Sequence, residues 1–283
     1  MASPIVIRNG LPYRQVTWRR GGKDRPKRSN GNSVMNAATP SQPFLDAIAE
    51  FVGQPADSIA CELIHLKRAT EREENIRALK AALGTGLLIT DASEGKEMVD
   101  EGHPVDCVFN PKVPRTAGEV GCLVSHVAVA NVAKMMNKTH VVIFEDDCVP
   151  SPSYSTEALK AYLADVSRLA AEFGVRGTRD FLLLSSSGTY DGKQLTSHVK
   201  ACTRFNGSHA LLMSIDFVKK FVGSYEYTTK KGLCIPVDAL YGFVAKTLKQ
   251  PILCPAGDTE LFKQNRATGS YTLDTEGKTI RTG

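Results

Sequence analysis

Thr139-His140-Val141-Val142-Ile143-Phe144-Glu145-Asp146-Asp147-Cys148-Val149-Pro150 is the stretch on which the reading of this chain turns. Four apolar residues run straight into three carboxylates, and a proline follows closely. A short run rich in β-branched residues reads as a buried strand, and the acids fall where that strand ends. In α/β folds, ligands gather at the carboxyl ends of strands. Three adjacent acids repel one another unless a cation or hydrogen-bond donors offset the charge. A hard divalent ion bridging to phosphate oxygens would do so. A solvated turn with acids at a helix start is the other reading of such a triplet; the buried strand before it favours a metal and phosphate site. Cys148 reads as a core cysteine rather than a soft ligand.

Working outward, strands and helices alternate. Ile59 to Leu66 reads as a first strand, Glu71 to Leu83 as a helix with a capping box at Thr70 and Glu73, and Leu87 to Thr90 as a second strand. Gly84 suits the helix C-terminus. This is a βαβ unit whose right-handed crossover places both loops on one edge of the sheet. Residues 95 to 115 read as polar and turn-rich. Thr116 with Glu119 repeats the capping-box pattern and opens a helix to about Asn137, which feeds the acid-bearing strand. Further on come a helix from Ser155 to Phe173, a strand at Phe181–Leu184 and a looser segment to Arg204. A strand at Ala210–Met213, a helix from Ile215 to Val222, a helix opened by Pro236 and running to Leu248, and a strand at Ile252–Cys254 complete the body. The tail from Asp258 reads as polar. Before the body, Phe44, Leu45, Ile48 and Phe51 recur at helical spacing.

The 283 residues are 42% hydrophobic, enough for one large α/β domain or two small ones. No apolar run approaches the ~18 residues of a membrane span. The seven cysteines are scattered and odd in number, without a CxxC pair, and read as reduced thiols. With no signal-peptide pattern at Met1–Arg8, the expected location is cytoplasmic. The net charge of +5 misleads. Residues 8 to 28 carry eight positive charges against Asp24 alone, leaving the rest of the chain at −2. The division expected is a basic, partly ordered extension at 1–57 with a short helix, and one catalytic domain at 58–283. The basic extension is a candidate contact for an anionic surface, and a homodimer is carried as an expectation.

Four blocks occur together and in order: Ile64-His65-Leu66-Lys67-Arg68-Ala69-Thr70-Glu71-Arg72, Gly118-Glu119-Val120-Gly121-Cys122-Leu123-Val124-Ser125-His126, Ile143-Phe144-Glu145-Asp146-Asp147 and Pro236-Val237-Asp238. In this combination the chain resembles glycosyltransferase family 25, over roughly residues 59 to 260. That family includes bacterial lipooligosaccharide transferases and collagen galactosyltransferase domains. The resemblance implies a GT-A-like (Rossmann-like) α/β fold with a mixed, mostly parallel sheet flanked by helices. It also implies a UDP-sugar donor, Mn²⁺ (or Mg²⁺) and an inverting transfer of a sugar, galactose or glucose, to a glycan or glycoprotein acceptor. His65 and Lys67 depart from the family pattern, where Asn and Asp are common, leaving the first loop's contacts to base or ribose open.

The resemblance aligns the metal-binding acids with Glu145, Asp146 and Asp147. Asp147 is expected as a direct ligand, Glu145 as a ligand or a ribose contact, and Asp146 as a ligand or water-mediated contact. It also places Ser125 and His126 against the donor. Arg68 and Arg72 offer forks that suit phosphate, although Arg72 can instead pair with a nearby acid. Asp91 is a candidate acceptor for uracil or ribose, or a helix cap. His209 is a candidate contact to sugar or metal. Asp238 is the candidate general base, or an N-cap, and Asp258 is its reserve. Two other functions stay open: a catalytically silent transferase-like binding module using the basic tail, and a nucleotidyltransferase or phosphohydrolase.

Overall fold

The computed structural model describes residues 42–84, 86–107, 114–173, 177–186, 188–256 and 259–268, with short strands at 5–8, 11–14, 272–273 and 279–280. Most of the basic extension lies outside the described residues. Within it, β1 (Ile5–Arg8) and β2 (Leu11–Arg14) pair antiparallel. The amphipathic helix forms as α1 (Pro43–Val52) and closes on Gly53 in the left-handed region, φ 68°. Its apolar stripe packs into the core on one face of the main sheet: the Phe44 ring lies 5.9 Å from that of Phe144.

The chain then runs through β3 (Ile59–His65), α2 (Glu73–Leu83), β4 (Leu88–Asp91), α3 (Gly95–Asp100) and α4 (Ala117–Met135). β5 (His140–Glu145), β6 (Cys148–Pro150), α5 (Thr156–Phe173) and β7 (Phe181–Leu183) follow. Four short strands come next: β8 (Thr189–Tyr190), β9 (Lys193–Gln194), β10 (Val199–Cys202) and β11 (Arg204–Phe205). β12 (Ala210–Ser214), α6 (Ile215–Lys230), α7 (Val237–Thr247), β13 (Ile252–Pro255) and β14 (Phe262–Gln264) complete the body.

The main sheet has the order β4-β3-β5-β12-β7. β3 is parallel to β4 and to β5, while β12 is antiparallel to β5 and β7. Four of its strands therefore point one way and β12 opposes them, the mixed and mostly parallel sheet that was expected. Helices cover both faces, which explains the unbroken apolar run in β5. Successive side chains alternate sides. Val141 and Ile143 join α4, α6 and α7 in one core, and Val142 and Phe144 join α1, α2 and α5 in the other. Burying each large apolar side chain contributes roughly 1.5–3 kcal/mol, so a one-residue slip of β5 would exchange both faces and move the acids out of place.

Several boundaries differ from those read in the sequence. Thr70 does not cap α2: Thr70–Arg72 form a 3₁₀ turn, and the helix starts at Glu73 without a side-chain cap. Arg72 is drawn inward by an acid instead. α3 forms where turns were expected, and α6 runs to Lys230 because Tyr225 extends its buried stripe. The looser segment before Arg204 contains β8 to β10. The tail is not simply polar: Leu261 and Phe262 are fully buried, and β14 pairs with β6. The capping box at Thr116 and Glu119 is present in both directions, at 3.2 and 2.9 Å. Among the described residues, no helix is long and apolar enough to cross a membrane.

Candidate active site

From β3 the chain steps outward to β4, then returns to the other side of β3 as β5. Strand order reverses there, and a crevice opens at the carboxyl ends of β3 and β5. The cleft at this edge measures about 1240 Å³, larger than a single small ligand needs. Because β12 is antiparallel, its entering loop Gly207-Ser208-His209 arrives at the same edge, and the Glu145 N–H donates to the His209 carbonyl at 3.0 Å.

The three acids have different partners. Glu145 Oε1 accepts from Ser208 Oγ at 2.7 Å and lies 3.0 Å from His126 Nε2. Burial alone would raise its pKa, but hydrogen bonds from His126 and Ser208 prevail and hold the carboxyl well below its ordinary value. Asp146 is enclosed. Arg72 takes one oxygen, while the Leu66 N–H, at 2.8 Å, and His65 Nδ1, at 3.1 Å, take the other. Its carbonyl accepts from Asn75 Nδ2 at 3.0 Å. Asp147 Oδ2 accepts from Gln264 Nε2 at 2.9 Å, whereas Oδ1 is buried with no hydrogen-bond partner among the described residues. Burial first, and then the neighbouring Glu145 charge, push the Asp147 carboxyl up to about 7. Of two acids two residues apart, one stays ionised and the other resists ionisation.

The departures His65 and Lys67 now have partners. His65 orients Asp146, and Lys67 Nζ pairs with Asp91 at 2.6 Å. Asp91 is the one described residue of the expected set that does not line the cleft: its side chain is 60% exposed on the edge strand β4. Arg68 lines the cleft beside Glu94, its Nε 3.2 Å from both carboxylate oxygens. Arg72 is buried and serves Asp146. Burial works against its charge, but Asp146, Asp147 and Glu145 outweigh that and raise its pKa.

The Gly121-x-x-x-Ser125-His126 pattern on α4 has a packing cause. A Cβ on Gly121 would lie 2.8 Å from the Ser93 carbonyl oxygen and 2.9 Å from the Gly95 nitrogen. This close approach lets the Ser93 N–H donate to Ser125 Oγ at 2.8 Å, while that hydroxyl donates to the Gly121 carbonyl at 2.6 Å. Ser125 thus ties the loop after β4 to α4, and His126, with Tyr241 behind it at 2.9 Å, holds Glu145. Gly121→Ala is expected to destabilise the fold by about 1–3 kcal/mol, the usual cost of overpacking. Chemical denaturation would show it as a lower midpoint with an unchanged slope.

Asp238 lies in the first turn of α7 and is not its N-cap, a position held by Pro236. Its Oδ2 accepts from the Gly207 N–H at 3.0 Å. Burial, then Glu145, raise its pKa above the ordinary value. His209 lines the cleft with Nε2 2.8 Å from Ser185 Oγ, and its buried Nδ1 has no partner among the described residues. Burial lowers its pKa to about 4, so the ring is neutral. Asp258 lies outside the described residues. Sequence reasoning missed Ser208, Gln264 and Tyr241, which act through pairings distant in the chain.

A divalent cation fits this donor set. Asp147, with a buried oxygen that lacks a partner among the described residues, and the ionised Glu145 line one cleft, and the charge of Glu145 already acts on Asp147; a cation bound there would offset both.

The family sequence model described as "Glycosyltransferase family 25 (LPS biosynthesis protein)" matches residues 61–240. A glycosyltransferase 25 family member from Anopheles gambiae is 28% identical over 134 residues, 43% of this chain and 22% of that protein. The match therefore spans about a fifth of the relative's length. Among solved structures, A197 from STIV aligns over 80% of this chain and 94% of its own, with a TM-score of 0.39 and 8% identity. UDP-glucose pyrophosphorylase complexed with UDP-glucose aligns over 77% and 78%, with a TM-score of 0.34 and 8% identity. Structural likenesses this distant say nothing of activity or substrate.

Proposed function

The chain belongs to glycosyltransferase family 25, and from that premise we propose that it transfers a hexose, galactose or glucose, from a UDP-sugar to a hydroxyl of a glycan or glycoprotein acceptor, with inversion. The observation that carries this reading is the unpartnered Asp147 oxygen beside Glu145, at the crevice where strand order reverses. Asp147 and Glu145 would hold Mn²⁺ (or Mg²⁺). When bound, such an ion supplies Lewis-acid stabilisation of the charge that develops on a leaving nucleoside diphosphate.

The chain's own residues do the rest. Asp146 is a positioning residue: by gathering Arg72, His65 and the Leu66 N–H, it fixes the loop after β3 against the end of β5. Arg68, which lines the cleft beside Glu94, would meet phosphate. His126 and Ser208 keep Glu145 ionised and aimed into the cleft. The neutral His209 offers Nδ1 to a sugar or phosphate oxygen. Asp238 takes the proton of the acceptor hydroxyl as that oxygen attacks the anomeric carbon. Its raised pKa makes it a stronger base than a solvated carboxylate, and the Gly207 N–H fixes which oxygen is engaged. Farther along α7, Phe243 is 52% exposed and lines the cleft, giving an acceptor sugar an apolar ring face to lie against.

Incubation with a panel of UDP-sugars tests the reading. Slow release of UDP that requires Mn²⁺ is the expected result. Release of pyrophosphate or inorganic phosphate would instead identify a nucleotidyltransferase or phosphohydrolase. Failure to bind any nucleotide would leave the silent binding module.

A further inference from the structure

Among the cleft side chains to which the proposed reaction gives no use is Cys122. It stands four residues before His126 on α4, so both present to one face of the helix. The end of β5 delivers Glu145 to the same place. The Cys122 sulfur, a ring nitrogen of His126 and a carboxylate oxygen of Glu145 all lie within 4.8 Å of one another. Behind these three atoms the support is already built. Tyr241 OH sits 2.9 Å from His126 Nδ1, and Ser208 Oγ holds Glu145 Oε1 at 2.7 Å. Cys122 is half-buried and lines the cleft, whereas the other six cysteines are buried.

We propose that Cys122, His126 and Glu145 form a second cation site, selective for a thiophilic divalent ion such as Zn²⁺, and that its occupancy inhibits transfer. One sulfur, one nitrogen and one oxygen donor with a fourth position open to the cleft is a zinc ligand set. A thiolate selects against Mg²⁺ and Mn²⁺, which favour oxygen. The hard ion proposed at Asp147 therefore has a different preference. Glu145 belongs to both sets and can serve only one fully. A soft ion that takes it weakens the hard-ion site, and this inhibitory consequence rests on the proposed function; the binding itself does not.

Burial, and then the Glu145, Asp238 and Asp147 charges, hold the Cys122 thiol protonated in the ion-free protein, so an ion must displace that proton to bind. His126 Nε2 faces the Glu145 carboxylate and Nδ1 faces the Tyr241 hydroxyl, which can donate to that nitrogen or accept from it. With the ion on Nε2, the ring proton is on Nδ1, where the Tyr241 oxygen accepts it. The ligand forms are thiolate and neutral imidazole, so binding releases the thiol proton to solvent.

Cadmium is a spectroscopic stand-in, because thiolate bound to Cd²⁺ absorbs in the ultraviolet. Titration of the intact chain is expected to raise this band with one equivalent of Cd²⁺, and Zn²⁺ is expected to bleach it by displacement. Cys122→Ser should lose the band. Tyr241→Phe should keep it at about 10–100-fold weaker affinity, the usual cost of removing a supporting hydrogen bond. Zn²⁺ should inhibit Mn²⁺-dependent UDP release by the wild type about tenfold or more strongly than by Cys122→Ser, each relative to its own activity. An unchanged band in Cys122→Ser, or no band in the wild type, overturns the site. Equal zinc inhibition of both proteins overturns its inhibitory role. A chain that binds Cd²⁺ through Cys122 but turns over no UDP-sugar would overturn the transferase reading alone.

Discussion

Asp147→Asn is expected to reduce donor turnover by about 10²–10³-fold or more, the scale of losing one electrostatic partner of the transition state. The same change should make the ion-free protein more stable. Both effects come from one atom. Asp147 Oδ1 is buried and unpartnered, and burial with the neighbouring Glu145 raises the carboxyl from its ordinary 3.8 to about 7. A carboxyl whose folded pKa is raised contributes its stability fully below the unfolded value and loses it as pH climbs through the folded value. Between about pH 4 and pH 7 the ion-free wild type should therefore weaken by up to a few kcal/mol. The asparagine variant, which cannot ionise there, should not. Adding Mn²⁺ with UDP should restore the wild type by mass action and leave the variant unmoved. Thermal unfolding at pH 5 and pH 8, with chelator or with Mn²⁺ and UDP, reads both proteins. Identical pH responses, or full UDP release by the variant, would contradict the assignment.

Asp238→Asn tests the second half of the chemistry. The expected result is a fall in kcat of about 10²–10⁴-fold, the range for removing a positioned base, with Mn²⁺-dependent UDP binding retained. Asparagine can still accept the Gly207 N–H, so the turn before β12 should survive the change. In the wild type, activity should drop as pH falls through the Asp238 pKa, which burial and then Glu145 place above that of a solvated carboxylate. With Mn²⁺ saturating, so that Asp147 stays ionised on the metal, that acidic limb should vanish in the variant. A kcat within a few-fold of wild type would return Asp238 to a structural role at the start of α7. The reserve, Asp258, would then be the next residue to replace.

Much of this was legible in the chain, for reasons that are local. β5 was readable because burial on both faces writes an unbroken apolar run, and its end was readable because three adjacent acids break that run. Thr116 and Glu119 announced α4 through a contact three residues long. What could not be read depends on pairings that span the fold. Gln264 reaches Asp147 only because β14 pairs with β6, a strand more than a hundred residues earlier. Ser208 reaches Glu145 because β12 runs antiparallel to β5, and nothing in the composition of Ala210–Ser214 states a direction. Asp146 and Arg72 stood in two separate motifs, each open to contact with a ligand, and the fold joins them to each other. The same limit applies to Asp91, whose place after a strand resembled that of Asp147. Its strand is the edge of the sheet, and its carboxylate is held by Lys67 in solvent.

Anomalous diffraction at the manganese edge, from crystals grown with Mn²⁺ and UDP, tests the central claim most directly. A single strong peak bound to Asp147 Oδ1, with Glu145 on the same side and the diphosphate completing the shell, is the result this account requires. An ion or nucleotide seated elsewhere, with that carboxylate oxygen still buried and alone, would contradict it.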